Sequence, residues 1–414
     1  MHRLHTVLAI LALPIAVPAL AQLSVPSVGG TVGGVLGRVD RALDPLEERV
    51  GGLAERATRL ADARVSRLAA LVRRNRDSIE IDKDGQPARK GELLLMGASE
   101  ADLAAAERAG FTVLGRERLG ELDIAVVRLG VPTDTSLARA EANLQALLPN
   151  ATIAADSLHF PAGTPARGAG AATPRAAPRS SGPIDTPVGL IDGAPGPATK
   201  VGALRGFARG APLASRHGSA TASLLALAGV RRILVADVYG ADPAGGNALA
   251  ISRGIDWLTG QGVRVISISL AGPNNALLGQ AVAAARRRGV LFVAAVGNDG
   301  PAAPPAYPAS YPGVLAVTGV DGRNRALIEA GRASHLDYAA PGADMLAADA
   351  GGKWVRVRGT SYAAPLVAAR AAAASGAAGG ALSSLDREAA DLGAKGPDAV
   401  YGRGLLCGAC ARRR

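Results

Sequence analysis

The run Val188-Gly189-Leu190-Ile191-Asp192-Gly193 is a short apolar stretch ended by a carboxylate and a glycine. Runs of the same character recur at Ile233 to Val238, Val263 to Ser269, Val290 to Val296 and Val314 to Val320. Ser219 to Leu227, Ala248 to Thr259, Leu277 to Arg288 and Tyr362 to Ala374 read as helices. Near-continuous apolar strands alternating with helices predict an α/β domain over 184–408, three layers deep around a mainly parallel sheet. Chemistry in such a sheet belongs at the carboxyl ends of strands and the amino ends of helices, and Asp192 sits at such a strand end.

Working back from this domain, residues 161–183 are rich in Pro, Ala, Gly, Ser and Arg and read as a flexible linker. Residues 91–160 read as a small α+β unit: strand Glu92 to Met96, a helix capped by Ser99, strands Phe111 to Leu114 and Leu122 to Leu129, a helix opened by Thr135 or Ser136, and an extended end. The order βαββαβ is the ferredoxin-like split. Residues 22–90 read as a helical segment, with a stripe of Leu46, Val50, Leu53, Ala57, Leu60, Val65, Leu68 and Val72 running on to Ile79.

Residues 1–21 have the form of a secretory signal: a basic start, a short apolar run and Ala19-Leu20-Ala21 as a cleavage pattern. The apolar run is short for a membrane span and no later run reaches about 20 residues, so no span is expected in the mature chain. Export predicts a secreted or periplasmic protein. Aromatic residues are only 3% of the 414, so the core must be built from Ala, Val, Leu and Ile. The net charge of +11 is spread along the chain, with a short basic tail at 409–414. Nucleic-acid binding would need clustered basic residues with aromatics for stacking, so that class is set aside. Cys407 and Cys410 are too few for a structural zinc site, and export favours a local disulfide over two thiols.

Histidine is the filter for chemistry. Of five, His2 and His5 lie in the signal and His159 precedes the linker, which leaves His217 or His335 as a general base. His217 stands in Arg216-His217-Gly218-Ser219 at the start of a small-residue helix. Asp192 is either an Asx-type turn residue or the carboxylate that orients an imidazole. Ser361, in Gly359-Thr360-Ser361-Tyr362-Ala363-Ala364-Pro365, is a helix cap, a nucleophile, or both, because a helix start presents free N–H groups to an oxyanion. Asn298, ending Ala294-Ala295-Val296-Gly297-Asn298, is a turn residue or a second oxyanion donor.

The chain order Asp, His, Ser separates this set from the other two serine-hydrolase arrangements. With these motifs and their neighbours, residues 184 to 407 resemble a subtilisin-family serine protease, or subtilase. The resemblance implies that Ser361 attacks, His217 shuttles the proton, Asp192 orients it and Asn298 binds the oxyanion. It also implies that Ser269, Leu270, Ala271 and Gly272 form the edge that pairs with the backbone of protein or peptide substrates. Residues 91–160 resemble the family's inhibitory propeptide, so the chain's own propeptide is an expected partner, with self-cleavage between His159 and Pro183.

The chain departs from the family pattern where Gly193-Ala194 follows Asp192, and at Ala220, Leu366 and Cys407. No cofactor is required. No metal site is expected either, since no carboxylate cluster supports the structural calcium seen elsewhere in the family. By resemblance, Asp299 lies near the rim of the first specificity pocket, where it is either a solvated turn residue or a receptor for a basic side chain.

Overall fold

The computed structural model describes residues 55–162, 164–165, 182–376 and 380–408. The signal-like start, the basic tail and most of the proline-rich stretch lie outside them. Helix α1 occupies residues 55–74 and gives way to a turn at 75–78. The expectation of a helical segment through residue 90 is corrected here. Ile79–Ile81 forms strand β1, antiparallel to the start of β2 (Pro87–Met96), so the α+β unit begins at Ile79 rather than at residue 91. The cause is a tight hairpin. Asp82 accepts the backbone N–H groups of Asp84 and Gln86 through Oδ1, and Asp84-Gly85 supplies the turn.

The unit continues through α2 (Glu100–Arg108), β3 (Thr112–Leu119), β4 (Ile124–Gly130), α3 (Leu137–Leu147) and β5 (Thr152–Ser157). Ser99 and Asp102 exchange hydrogen bonds in a capping box at the start of α2, and Ser136 caps α3. The strands order as β3-β4-β2-β5, all antiparallel, with β1 beside the first residues of β2. Leu93 and Leu95 face a core with Leu103, Leu137 and Leu144 under the two helices. Leu94 and Met96 point the other way, into a core shared with the next domain. Burial on both faces is why residues 93–96 read as a continuous apolar run rather than an alternation.

Two short strands follow, β6 (Phe160–Pro161) and β7 (Thr164–Pro165). The large domain contains β8 (Val188–Asp192), β9 (Ala203–Gly206), α4 (Arg216–Leu227), β10 (Ile233–Asp237), α5 (Ala248–Gly260), β11 (Val265–Ile268) and β12 (Leu270–Ala271). Then come α6 (Ala276–Arg287), β13 (Leu291–Ala295), β14 (Leu315–Val320), β15 (Tyr338–Pro341), β16 (Met345–Ala348), β17 (Trp354–Arg358), α7 (Ala364–Ala373) and α8 (Gly380–Glu388).

Seven of these strands form one parallel sheet in the order β15-β14-β13-β11-β8-β10-β9. Leu190, Val235, Val265, Val293 and Val317 face a core with Leu224 of α4 and Leu366 and Val367 of α7. Ile191, Leu234, Ile266 and Phe292 face Ile251 and Ile255 of α5 and Leu278 and Val282 of α6. Each such side chain, taken fully out of water, contributes roughly 1.5–3 kcal/mol. The order of strands reverses at β8, which puts a crevice at its carboxyl end. Cys407 is disulfide-bonded, and the sequence has one other cysteine, Cys410.

The linker expectation for 161–183 is corrected at its start. β6 pairs antiparallel with β12 and β7 pairs antiparallel with β17, so Phe160–Pro161 and Thr164–Pro165 belong to sheets of the large domain. An extended chain beside an open strand edge satisfies its backbone there, whatever its composition suggests.

Candidate active site

Asp192 ends the central strand β8, fully buried. Its Oδ1 accepts the N–H of Gly193 at 2.7 Å, and Thr221 donates its hydroxyl to Oδ2 at 3.0 Å. Both carboxylate oxygens lie against His217 Nδ1, at 2.9 and 2.8 Å. A buried carboxylate is costly unless hydrogen-bonded, and three partners hold this one.

His217 stands in the first turn of α4, whose N-cap Ser215 accepts the N–H of Gly218 at 2.9 Å. Position 218 must be glycine: a Cβ there would lie 1.9 Å from the carbonyl oxygen of Gly193. That close approach lets the helix start sit on the end of β8 and aligns the imidazole with the carboxylate. The ring of Tyr362 flanks His217 at 5.4 Å between centroids.

Nε2 of His217 is 2.9 Å from Ser361 Oγ. Ser361 lies in a single 3-10 turn, Thr360–Tyr362, ahead of α7 rather than on an α-helix start as the sequence suggested. Asn298 follows β13 and is held by its Oδ1, which accepts the Thr360 N–H at 3.0 Å. Its amide is thereby aimed into the crevice.

One carbonyl of the chain itself occupies the point where these groups converge. Ala162 O accepts the Ser361 N–H at 2.9 Å and the side-chain amide of Asn298. On one side, Phe160–Pro161 pairs with Leu270–Ala271, and the Ala162 N–H donates to Ser269 O at 3.1 Å. Beyond Ala162, Thr164–Pro165 pairs with Val357–Arg358. Residues 160–162 and 164–165 thus lie along the Asp192-His217-Ser361 row, with backbone hydrogen bonds to strands on either side.

The fourth predicted edge residue, Gly272, touches His159; a Cβ on Gly272 would lie 2.6 Å from the imidazole. His159 is completely buried, with neither ring nitrogen at hydrogen-bonding geometry. Burial pushes its imidazole down to about 4, and the backbone of Ser157 and Pro273 offsets this only in part. Three residues upstream, Asp156 caps α5 by accepting the Leu249 N–H at 2.9 Å. Burial pushes Asp156 up to about 6, against the pull of that N–H and of Arg89, which is 3.6 Å away.

The structure therefore brings together Asp192, His217, Ser361 and Asn298, with Ser269, Leu270, Ala271 and Gly272 along one side. His335, the other candidate base, lies elsewhere, with Nε2 2.8 Å from Val314 O. Asp299 meets Arg64 and Arg67 of α1. Sequence reasoning missed Thr221, although its place one helical turn after His217 is a usable signal. It also missed Val357–Arg358, which no motif marks. Among the described residues, no group of three or more His, Cys, Asp or Glu is placed to hold a metal.

Residues 209–390 match the Subtilase family of S8 peptidases, a stretch that holds His217, Asn298 and Ser361 and starts after Asp192. Subtilisin BL of Lederbergia lenta is 37% identical over 150 residues, covering 36% of this chain and 55% of that one. An alkaline protease of Alkalihalobacillus alcalophilus is 38% identical over 128 residues, 31% of this chain and 33% of that protein. The chain thus spans about half the length or less of these relatives. Fervidolysin of Fervidobacterium pennivorans, described as a keratinolytic enzyme related to subtilisin, shares the fold over 81% of this chain and 63% of its own, with a TM-score of 0.61 and 17% identity. Over residues 209–390, the chain is similar to the subtilase family.

Proposed function

We propose that this protein is an exported serine endopeptidase of subtilisin type, made as a precursor that inhibits itself. The observation that carries this reading is the Ala162 carbonyl, which accepts from the Ser361 N–H and the Asn298 amide beside the Ser361 hydroxyl. A peptide substrate would lie as residues 160–162 do.

In this reading Ser361 Oγ attacks the carbonyl carbon and passes its proton to His217 Nε2. Asp192, fixed by Thr221 and Gly193, holds the Nδ1 proton and stabilises the imidazolium. The negative charge moves to the carbonyl oxygen, which the Ser361 N–H and Asn298 amide already hold. Collapse breaks the C–N bond, and the leaving amine takes the proton from His217. Water, deprotonated by the same imidazole, then frees the acyl group and regenerates Ser361.

The same geometry supports self-inhibition. The α+β unit of residues 79–157 ends in the segment that fills the crevice, so no other peptide can enter. The first bond cut would be the one after Ala162. Export is supported by the signal-like residues 1–21; among the described residues, no helix is long and apolar enough to cross a membrane.

Mass spectrometry of the purified chain tests the reading. The expected mature species begins at residue 163, and Ser361→Ala remains full length. A fluorophosphonate should label the mature wild type at Ser361. Failure of both would sink the protease assignment, and cleavage of the Ser361→Ala chain in purified form would sink self-processing.

A further inference from the structure

Helix α1 lies outside the α+β unit, and neither its sequence nor the proposed chemistry gives it a task. Its residues Leu60, Arg64, Arg67 and Leu71 recur at steps of four, three and four, so they share one face. That face meets the turn directly after the oxyanion amide. Arg64 Nε donates to Asp299 Oδ2 at 3.0 Å, and Arg67 donates to Oδ1 of the same carboxylate. Arg64 is also tied to Gln86 Oε1 at 3.0 Å, which fixes it from the α+β unit. Leu60 covers the next residue: a Cβ on Gly300 would lie 2.9 Å from its side chain. At the other end, Leu71 and Val72 pack with Ile79, Leu158 and Ala244, and Phe160 joins the same cluster.

Helix α1 thus reaches from the Asp299 turn to the segment that fills the crevice, touching both. Asp299 is only about one-third exposed and Arg64 less, so that contact is partly withdrawn from solvent, while Arg67 reaches the same carboxylate from an exposed position. We propose that the Asp299-Gly300 turn is a docking surface for a guanidinium-bearing amphipathic helix, and that α1 fills it in the precursor as a second inhibitory element. This rests on the protease reading for its consequence but not for the contact itself. Cutting the chain after Ala162 leaves α1 seated on Asp299. Full activity then requires α1 to leave as well as the bond to break.

The test uses the full chain in two forms. In the Ser361→Ala chain, where no cleavage occurs, Arg64→Ser with Arg67→Ser should raise hydrogen exchange in residues 57–72 about fivefold, the scale for two partly exposed ion pairs, while β5 stays protected. In the otherwise wild-type chain, the same pair should leave the rate of cleavage after Ala162 unchanged. It should shorten the delay between that cleavage and hydrolysis of an added peptide by a similar factor. Reversing the charges, with Asp299→Arg alongside Arg64→Asp and Arg67→Asp, should restore both the protection and the delay. Unchanged exchange and unchanged delay in the arginine pair would overturn the proposal. A wild-type chain that never cleaves would defeat the protease reading alone, since exchange in the uncleaved chain still reports on the clamp.

Discussion

The crevice holds two kinds of buried ionisable group, and they are treated differently. Asp192 has a donor for each oxygen, and its partner His217 is held at both nitrogens. Just ahead of the segment that crosses them, His159 is completely buried with only the backbone of Ser157 and Pro273 near its ring, and one oxygen of Asp156 has Arg89 at 3.6 Å and no hydrogen bond. Full satisfaction keeps a group in one geometry, whereas a buried unsatisfied group weakens the state that buries it. The large domain holds its reacting row by hydrogen bonds at every polar atom, whereas the docked N-terminal unit buries two groups whose charged forms burial disfavours.

Five substitutions would break or sharpen this contrast. Ser361→Ala should lower kcat by about a million-fold, a magnitude established for subtilisin rather than derived from this chain, with little change in melting temperature. Normal turnover in that variant would remove the reacting row. Asn298→Ala should cost about 100- to 1,000-fold in kcat at nearly constant KM, again on the scale known for subtilisin's oxyanion donor. A loss confined to KM would mean that the amide binds ground states only.

The docking groups predict opposite pH responses. Docking holds His159 neutral, below its usual 6.5, so its contribution is complete above pH 6.5 and fades as pH falls towards about 4. Docking raises Asp156 from 3.8 to about 6, so its contribution is best at low pH and fades as pH rises through that range. The two nearly cancel between pH 4 and 6.5 in the unaltered chain. On the Ser361→Ala background, Asp156→Asn should loosen docking about 100-fold as pH falls across that window, and His159→Leu should tighten it similarly. Exchange of the amides in residues 152–162, corrected for intrinsic rates, reads both; parallel responses in the two variants would end the contrast.

The smallest effect belongs to Thr221→Val. Losing one donor to Asp192 should lower kcat about tenfold and leave KM unchanged. An unchanged kcat would show that Gly193 and His217 suffice to hold the carboxylate.

Much of the large domain was legible because its strands are buried on both faces, which leaves long apolar runs that periodicity detects. The predicted strands at 188, 233, 263, 290 and 314 all fall within a few residues of those observed. The strands Ala203–Gly206 and Trp354–Arg358 were not foreseen, since both carry exposed or charged residues, and the first also lies at the edge of its sheet. The hairpin that opens the α+β unit was lost because an apolar stripe continued from α1 into Ile79, and Asp84-Gly85 was not weighed as a turn.

By itself, the sequence determined which residues were available for chemistry. A single histidine with suitable neighbours, one serine before a proline-marked helix and one carboxylate at a strand end leave few assignments. Only the tertiary structure decided what occupies the crevice. Ala162 and Arg64 carry no local signature, because their meaning comes from contacts between residues far apart in the chain. Backbone hydrogen bonding at a strand edge is nearly indifferent to side-chain identity, so a proline-rich stretch that reads as linker can lie in the crevice as a strand.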